Sequence, residues 1–333
     1  MLSTIFFLLA TLLLILPNSI SSLEALSYYF EYESLVSMKT ELNRLNFVSF
    51  DMFALNGVKG KIRGNYPNRA KKAMNGETKG LLCVSNYARN NFQMKPAHIL
   101  LHHQKSVHEL IKNLVSEATN DGFIGVNVDF ENLAKDDREK YSGFIHQLAS
   151  ELHANNLILV VSVPAMEQDS PKVGYLGAYD YQSLGQNVDI LQVMTYDEYG
   201  PWEMKPGPVA GLDWVEKCIN YAKTVVPMSK ISMGVPAYGY DWDLTARSAT
   251  TVTWVQIPAL IGTNTVNWDS QTSSPWFTYT DKNGHHHEVW FENAQSIQLK
   301  GNFARSAGIG GVSVWALGEE DQSFWNALLN TSG

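Results

Sequence analysis

The sequence predicts an α/β fold, a (β/α)8 TIM barrel with a small β-rich insertion between its seventh strand and seventh helix. Three observations predict it. Eight short apolar runs recur along the chain, most of them separated by a stretch with helical amphipathic period, the rhythm of parallel βαβ units. One run, LILVVSVP from Leu157, is apolar almost throughout, as suits a parallel strand buried on both faces. No Gly-rich phosphate fingerprint follows any of the runs, which disfavours an open doubly wound sheet.

The elements follow in order. LSYYFEY from Leu26 reads as the first strand and SLVSMKTELNRL as its helix. FVSFDMFAL from Phe47 and GLLCVSN around Leu81 are the next strands. SVHELIKNLVSEATN places Val107, Leu110, Ile111 and Leu114 on one helical face, and Asp121-Gly122 closes that helix. GVNVDFE at Gly125 is the fourth strand. A long helix runs from about Asp136 to Asn155, opened by acidic residues that suit its macrodipole. LILVVSVP, ILQVMTYD at Ile190, ISMGVPAYGY at Ile231 and GIGGVSVWAL at Gly308 complete the eight. Residues 241–291 break the rhythm with alternating VTWVQIP and WFTYTDKNGHHHEVWFE, the second a hairpin turning at Asn283-Gly284. This insertion is expected over the C-terminal face of the barrel, where active sites of such folds lie.

Composition narrows the function. The 333 residues carry a formal net charge of -8, which argues against a nucleic-acid partner. Two cysteines exclude a disulfide scaffold, and Cys83 and Cys218 read as buried thiols. Ile5 to Leu16 is apolar apart from Thr11, too short for a comfortable membrane span of ~20 residues, and is followed by small residues. Residues 1–22 are therefore expected to be a signal peptide of a secreted protein, with a retained anchor as the alternative, although no Lys or Arg precedes the run. The remainder, 23–333, is expected to be one catalytic barrel that includes the insertion.

Chemistry concentrates at strand ends. In GVNVDFEN, Asn127, Asp129 and Glu131 alternate with Val126, Val128 and Phe130, so the polar set faces the lumen and the apolar set faces the helices. An unpaired polar group there costs roughly 2–7 kcal/mol, so a purely structural role needs a partner for each. A catalytic reading makes Glu131 a general acid, its pKa raised by burial and by a neighbouring carboxylate. Asp129 supplies that neighbouring charge, and Asn127 can donate a hydrogen bond to Asp129. Paired carboxylates also suit a hard cation, but no further acidic cluster is evident and no Cys/His spacing suggests zinc. Neither metal nor cofactor is expected. The run His285-His286-His287 reads as part of a solvated hairpin turn.

On these motifs the chain resembles glycoside hydrolase family 18. GFIGVNVDFEN resembles that family's D-G-x-D-x-D-x-E signature, QVMTYDEYGPW its Met-x-Tyr-Asp motif on strand six, and GVSVWALGEEDQSFW its last strand ending in Trp. DFEN, MTYDEYGPW, GVPAYGYDW and YTDKNGHHHEVWFENAQSIQ are more similar still to the spore cortex-lytic N-acetylglucosaminidase branch. The resemblance runs from about Ala25 to the C-terminus. Two positions depart from the chitinase pattern: Ile124 replaces the first Asp and Asn127 the second. In chitinases the second and third Asp share a proton, so Asp129 loses that partner.

The resemblance implies substrate-assisted retaining catalysis, an exception to the two-carboxylate rule. The substrate's acetamido carbonyl attacks the anomeric carbon while Glu131 protonates the leaving oxygen. Asp129 holds the acetamido N–H, and Tyr196 donates to its carbonyl. Asp197 contacts the sugar, and Trp315 forms the hydrophobic floor beneath it. Met194, Tyr238 and Trp202 are further substrate-binding candidates. Tyr240 could equally take the place of Tyr238, and Trp202 and Trp242 could be packing residues. The function this implies is cleavage of β-1,4 bonds after N-acetylglucosamine in peptidoglycan, or else in chitin, by a monomeric enzyme. The rival is a catalytically silent sugar-binding lectin on the same barrel, against which Glu131 and Tyr196 argue.

Overall fold

The structure is a computed structural model that describes residues 23–30, 32–202 and 205–330. The expected signal segment, 1–22, lies outside the described residues. Eight parallel strands alternate with helices: β1 (Glu24–Tyr29), α1 (Tyr32–Glu41), β2 (Phe47–Leu55), α2 (Asn68–Ala73), β3 (Lys79–Ser85), α3 (Gln104–Asp121), β4 (Gly125–Asp129), α4 (Arg138–Ala154), β5 (Ile158–Pro164), α5 (Tyr181–Asn187), β6 (Ile190–Met194), α6 (Leu212–Val225), β7 (Ile231–Pro236), α7 (Ala294–Ala307), β8 (Gly311–Trp315) and α8 (Gln322–Leu329). Each strand pairs in parallel with its neighbours in chain order, and β1 pairs with both β8 and β2, which closes the barrel. Every expected strand is present.

Period decides which face each residue takes. Along β4, Val126, Val128 and Phe130 are wholly buried against the helical layer, and Phe130 stacks on Phe144 of α4 at 5.9 Å. Asn127 and Asp129 take the lumen side. α3 buries Val107, Leu110, Ile111, Leu114 and Ala118, and ends on Gly122 at φ 76°, a left-handed cap that glycine adopts without strain. α7 opens with a capping box between Asn293 and Ser296. Both cysteines are buried free thiols. Among the described residues no helix is long and apolar enough to cross a membrane.

The insertion begins earlier than residue 241. The apolar run ISMGVPAYGY reads as one strand, but the chain leaves the barrel after Pro236, and Tyr238–Asp243 pairs antiparallel with Ser248–Thr253 and with His286–Trp290. Ser274–Thr280 and Asn267–Asp269 complete a five-stranded antiparallel sheet over Phe277, Val289 and Phe291. The hairpin turns through Asp281–His285, with Gly284 at φ 83°. The histidine run is only partly a solvated turn. His286 is exposed, whereas His285 Nδ1 meets Asp243 at 2.7 Å. His287 is half-buried, stacks on Tyr279, and meets Asp241 at 2.8 Å. Strand alternation turns His287 inward, onto the sheet's own carboxylates.

Candidate active site

Glu131 lies just past the end of β4, half-buried at the mouth of the barrel. Asn86, at the end of β3, holds its backbone from both directions: Asn86 Oδ1 accepts from Glu131 N–H at 2.8 Å, and Asn86 Nδ2 donates to Glu131 O at 2.8 Å. Burial, and then the charges of Asp129, Asp197 and Asp51, push the Glu131 carboxyl well above the usual range. A shift in that direction is the one a general acid needs.

Asp129 is buried in the lumen, and its Oδ1 has no hydrogen-bond partner. Burial and the nearby Asp51 carboxylate push it up to about 8, against the opposing pull of a hydrogen bond with Ser162. Asn127 does not bond Asp129. Wholly buried deeper in the lumen, it donates to Ser162 Oγ at 3.1 Å and to Cys83 Sγ at 3.6 Å, and accepts from Tyr28 O–H at 3.4 Å. It is tied into the floor of the lumen by these three partners. A side chain two residues back along a strand lies ~6–7 Å deeper, and there Ser162, Cys83 and Tyr28 from other strands engage it.

The lumen also holds Asp51, the lone charge in the apolar strand β2. Donor atoms of Asp51, Cys83 and Asp129 lie within 4.8 Å of one another. Burial raises Asp51 to about 6 and holds the Cys83 thiol well above its ordinary value. The acidic neighbour that β4 lacks in sequence is thus brought in from β2.

Tyr196 follows β6, and its hydroxyl is pushed well above 10 by burial and by Asp129, Glu131 and Asp197, so it remains a donor. Gly234 of β7 leaves room for this ring: a Cβ there would meet Tyr196 Cε1 at 2.9 Å and the carbonyl oxygen of Val193 at 2.7 Å. Asp197, at φ 62°, accepts on one oxygen from Tyr238 O–H at 2.6 Å and from Tyr240 O–H at 2.7 Å. Burial raises its carboxyl, and the two hydroxyls oppose that rise. Tyr238 and Tyr240 therefore act together, both from the first strand of the insertion.

Trp315 ends β8, half-buried and joined to Ala316 by a cis peptide bond. It stacks on Phe30 at 5.5 Å and leans on Tyr28 at 5.3 Å. Met194 ends β6 in register with Pro164 of β5 and is half-buried. Trp202 stands 62% exposed, its ring edge-on to Tyr240. Trp242 is buried packing in the insertion. A cavity of about 350 Å³ opens beside this group, lined by Phe30, Asp51, Arg63, Ser85 and Tyr87 among others. Asp51, Asn86, Tyr28 and Ser162 were not among the sequence candidates. Only Asp51 has a sequence signal, a carboxylate at the centre of an otherwise apolar strand.

A closed parallel barrel with a raised carboxyl just past its fourth strand, at the C-terminal face, has the layout of a barrel enzyme. The sequence model of glycosyl hydrolases family 18 matches residues 25–320, and the chain belongs to that family. It is 34% identical over 306 residues to an uncharacterized glycosylase, YvbX, of Bacillus subtilis, covering 89% of this chain and 87% of the relative. It is 31% identical over 269 residues to the cortical fragment-lytic enzyme of Bacillus anthracis, covering 78% of this chain but only 61% of that enzyme. Among solved structures, a chitinase from Chromobacterium violaceum superposes with a TM-score of 0.87 at 37% identity, covering 92% of this chain and 98% of its own. The spore cortex-lytic enzyme SleL of Bacillus cereus superposes with a TM-score of 0.85 at 28% identity, covering 92% of this chain and 74% of its own.

Proposed function

We propose that this glycosidase is secreted and cleaves β-1,4 bonds after N-acetylglucosamine in peptidoglycan by substrate-assisted retention. The observation that carries the mechanism is the pairing of Glu131, whose carboxyl is raised well above its ordinary range, with Asp129, whose buried Oδ1 has no protein partner. Glu131 donates its proton to the leaving oxygen as the substrate's acetamido carbonyl closes on the anomeric carbon. Asp129 Oδ1 accepts the acetamido N–H, which satisfies a lone oxygen that otherwise costs roughly 1–3 kcal/mol. Tyr196 donates to the acetamido oxygen. Glu131, now ionised, takes a proton from the water that opens the intermediate. Trp315 lies under the sugar, and Asp197, held by two tyrosines, meets its hydroxyls.

Peptidoglycan is favoured because a relative at 31% identity is a cortical fragment-lytic enzyme. Chitin is the second reading, supported by the 37% identity to the chitinase. The test is digestion of purified peptidoglycan beside N-acetylchitooligosaccharides, with mass analysis of the products. Muropeptides ending in a reducing N-acetylglucosamine support the first substrate, and rapid cleavage of the oligosaccharides alone supports the second. Glu131→Gln should lower turnover by at least ~10³-fold while oligosaccharide binding persists. Turnover by that variant at the native rate, or a native chain that binds both polymers and cuts neither, overturns the mechanism and favours the lectin. Detection of the protein in culture medium without residues 1–22 tests secretion.

A further inference from the structure

A second cluster of donor atoms lies outside the barrel lumen. Helix Met94–Leu101, in the connection from β3 to α3, carries His98, and His102 caps its end one turn later. The i, i+4 spacing puts both rings on one face, with centroids 4.3 Å apart. His98 Nδ1 and His102 Nε2 converge on a single oxygen of Asp137, at 2.6 and 3.0 Å. Asp137 sits in the turn before α4, is wholly buried, and its other oxygen has no hydrogen-bond partner. Its ion-pair partners among the described residues are these two imidazoles.

We propose that His98, His102 and Asp137 bind a divalent transition-metal ion. All three donor atoms lie within 4.8 Å of one another. Tetrahedral zinc with donors at ~2.0–2.2 Å places them about 3.3 Å apart, so sub-ångström shifts of two partly exposed rings suffice. Two nitrogens and one oxygen suit zinc and its first-row neighbours over calcium or magnesium, and the exposed side leaves room for water as the remaining ligand. The ion would brace the helix after β3 against the turn before α4, in the same connection that begins at Glu131. The i, i+4 histidine pair is visible in the sequence. Its third donor is 35 residues further on and becomes visible only in the fold.

The test is calorimetric titration of the full chain, stripped with chelator, with Zn²⁺ alone. One ion should bind, and thermal unfolding should move upward with it. His98→Gln and His102→Gln each keep an N–H for Asp137, so the fold should survive while affinity drops at least ~10-fold; the double variant should lose the binding event. No stoichiometric binding by the native chain, or undiminished binding by the double variant, overturns the site.

A separate observation concerns Asp51. Resting on the glycosidase reading above, we infer that Asp51 is a positioning residue that shares one proton with Asp129. A half-buried carboxylate and a buried one with oxygens within 4.8 Å of each other do not both ionise readily. The groups facing them are Cys83 from β3, Ser162 from β5, Tyr28 from β1, Tyr196 from β6 and Glu131 beyond β4, with the hydroxyls of Tyr141 on α4 and of Tyr179 also in the field of Asp129. Among the acidic groups, Asp51 adds negative charge near both Asp129 and Glu131, so its loss lets both shed protons at lower pH. In Asp51→Asn, with N-acetylchitotetraose as substrate, kcat should fall about 10-fold or more with KM within ~3-fold, and the alkaline limb should move to lower pH. A pH profile superimposable on the native one overturns this role while leaving the glycosidase reading intact, because the latter depends on Glu131→Gln. As a second measurement on the native chain, carboxyl NMR should show two separated protonation steps for the pair. An Asp51 that titrates alone near ~3.9 also overturns it.

Discussion

Asn86 brackets the backbone of Glu131, accepting from its N–H and donating to its carbonyl, each at 2.8 Å. Glu131 sits just beyond a strand, where no ladder holds it. A single buried side chain therefore supplies the hydrogen bonds that the next strand residue would have had.

Asn86→Ala should consequently lower kcat by ~10- to 100-fold, because small displacements of a catalytic group cost that much. Stability should fall by about 1–3 kcal/mol for the backbone groups left unpaired. Steady-state kinetics and urea unfolding check the two effects. Unchanged kcat would show that Glu131 is positioned by something else.

The lumen makes stability depend on pH in an unusual sense. Asp51 and Asp129 are raised to about 6 and about 8 in the folded chain. Between the unfolded carboxylate range and these values the folded state binds more protons than the unfolded one, so stability falls as pH rises. Tm should be higher near pH 5 than near pH 8, and Asp129→Asn should flatten that slope. Calorimetry across this range checks it; a Tm that rises toward pH 8 contradicts it.

Catalysis should follow the same sign. Glu131 must hold its proton to act as acid, and its raised pKa extends activity above the ordinary carboxylate range. The alkaline limb of kcat/KM should therefore lie well above pH 5. A limb at the ordinary carboxylate position would contradict the buried environment described here.

Lys300 is wholly buried on α7 and places its ammonium 2.9 Å from both oxygens of Glu292. Lys300→Met should destabilise by about 3–5 kcal/mol, since it strands a buried carboxylate. Changing both residues to apolar ones of similar volume should recover most of the loss. Chemical denaturation of the three variants checks this.

Trp202 offers the opposite case. At 62% exposure it contributes little to packing, so Trp202→Ala should leave Tm within about 1–2 °C. If its face carries part of the polymer, KM should rise several-fold with kcat nearly unchanged. Equal KM values for short and long oligosaccharides in native and variant chains would remove it from the groove.

The barrel was legible because burial on two faces leaves a continuous apolar signal, as in Ile158–Pro164, and because alternation along β4 separates Asp129 from Val128. Glu131 was legible by the same alternation. What stayed hidden depends on closure. Asp51 and Asp129 are 78 positions apart in the sequence and become neighbours only when β2, β3 and β4 lie side by side. Asn127 points in the predicted direction but sits too deep to reach Asp129, and the depth of a side chain in a tilted barrel is not a property of its strand alone. The insertion starts at Tyr238 and not at residue 241, because the apolar run through Pro236 continues into a strand of the other sheet without a polar break.

Both hydroxyls that hold Asp197 come from the first strand of the insertion, Tyr238–Asp243. That sheet is therefore no detachable cassette. Swapping it between related barrels, or trimming it to a short loop, would release the Asp197 carboxylate at the barrel mouth. Any engineering of the rim must treat the strand that carries Tyr238 and Tyr240 as part of the barrel's own mouth.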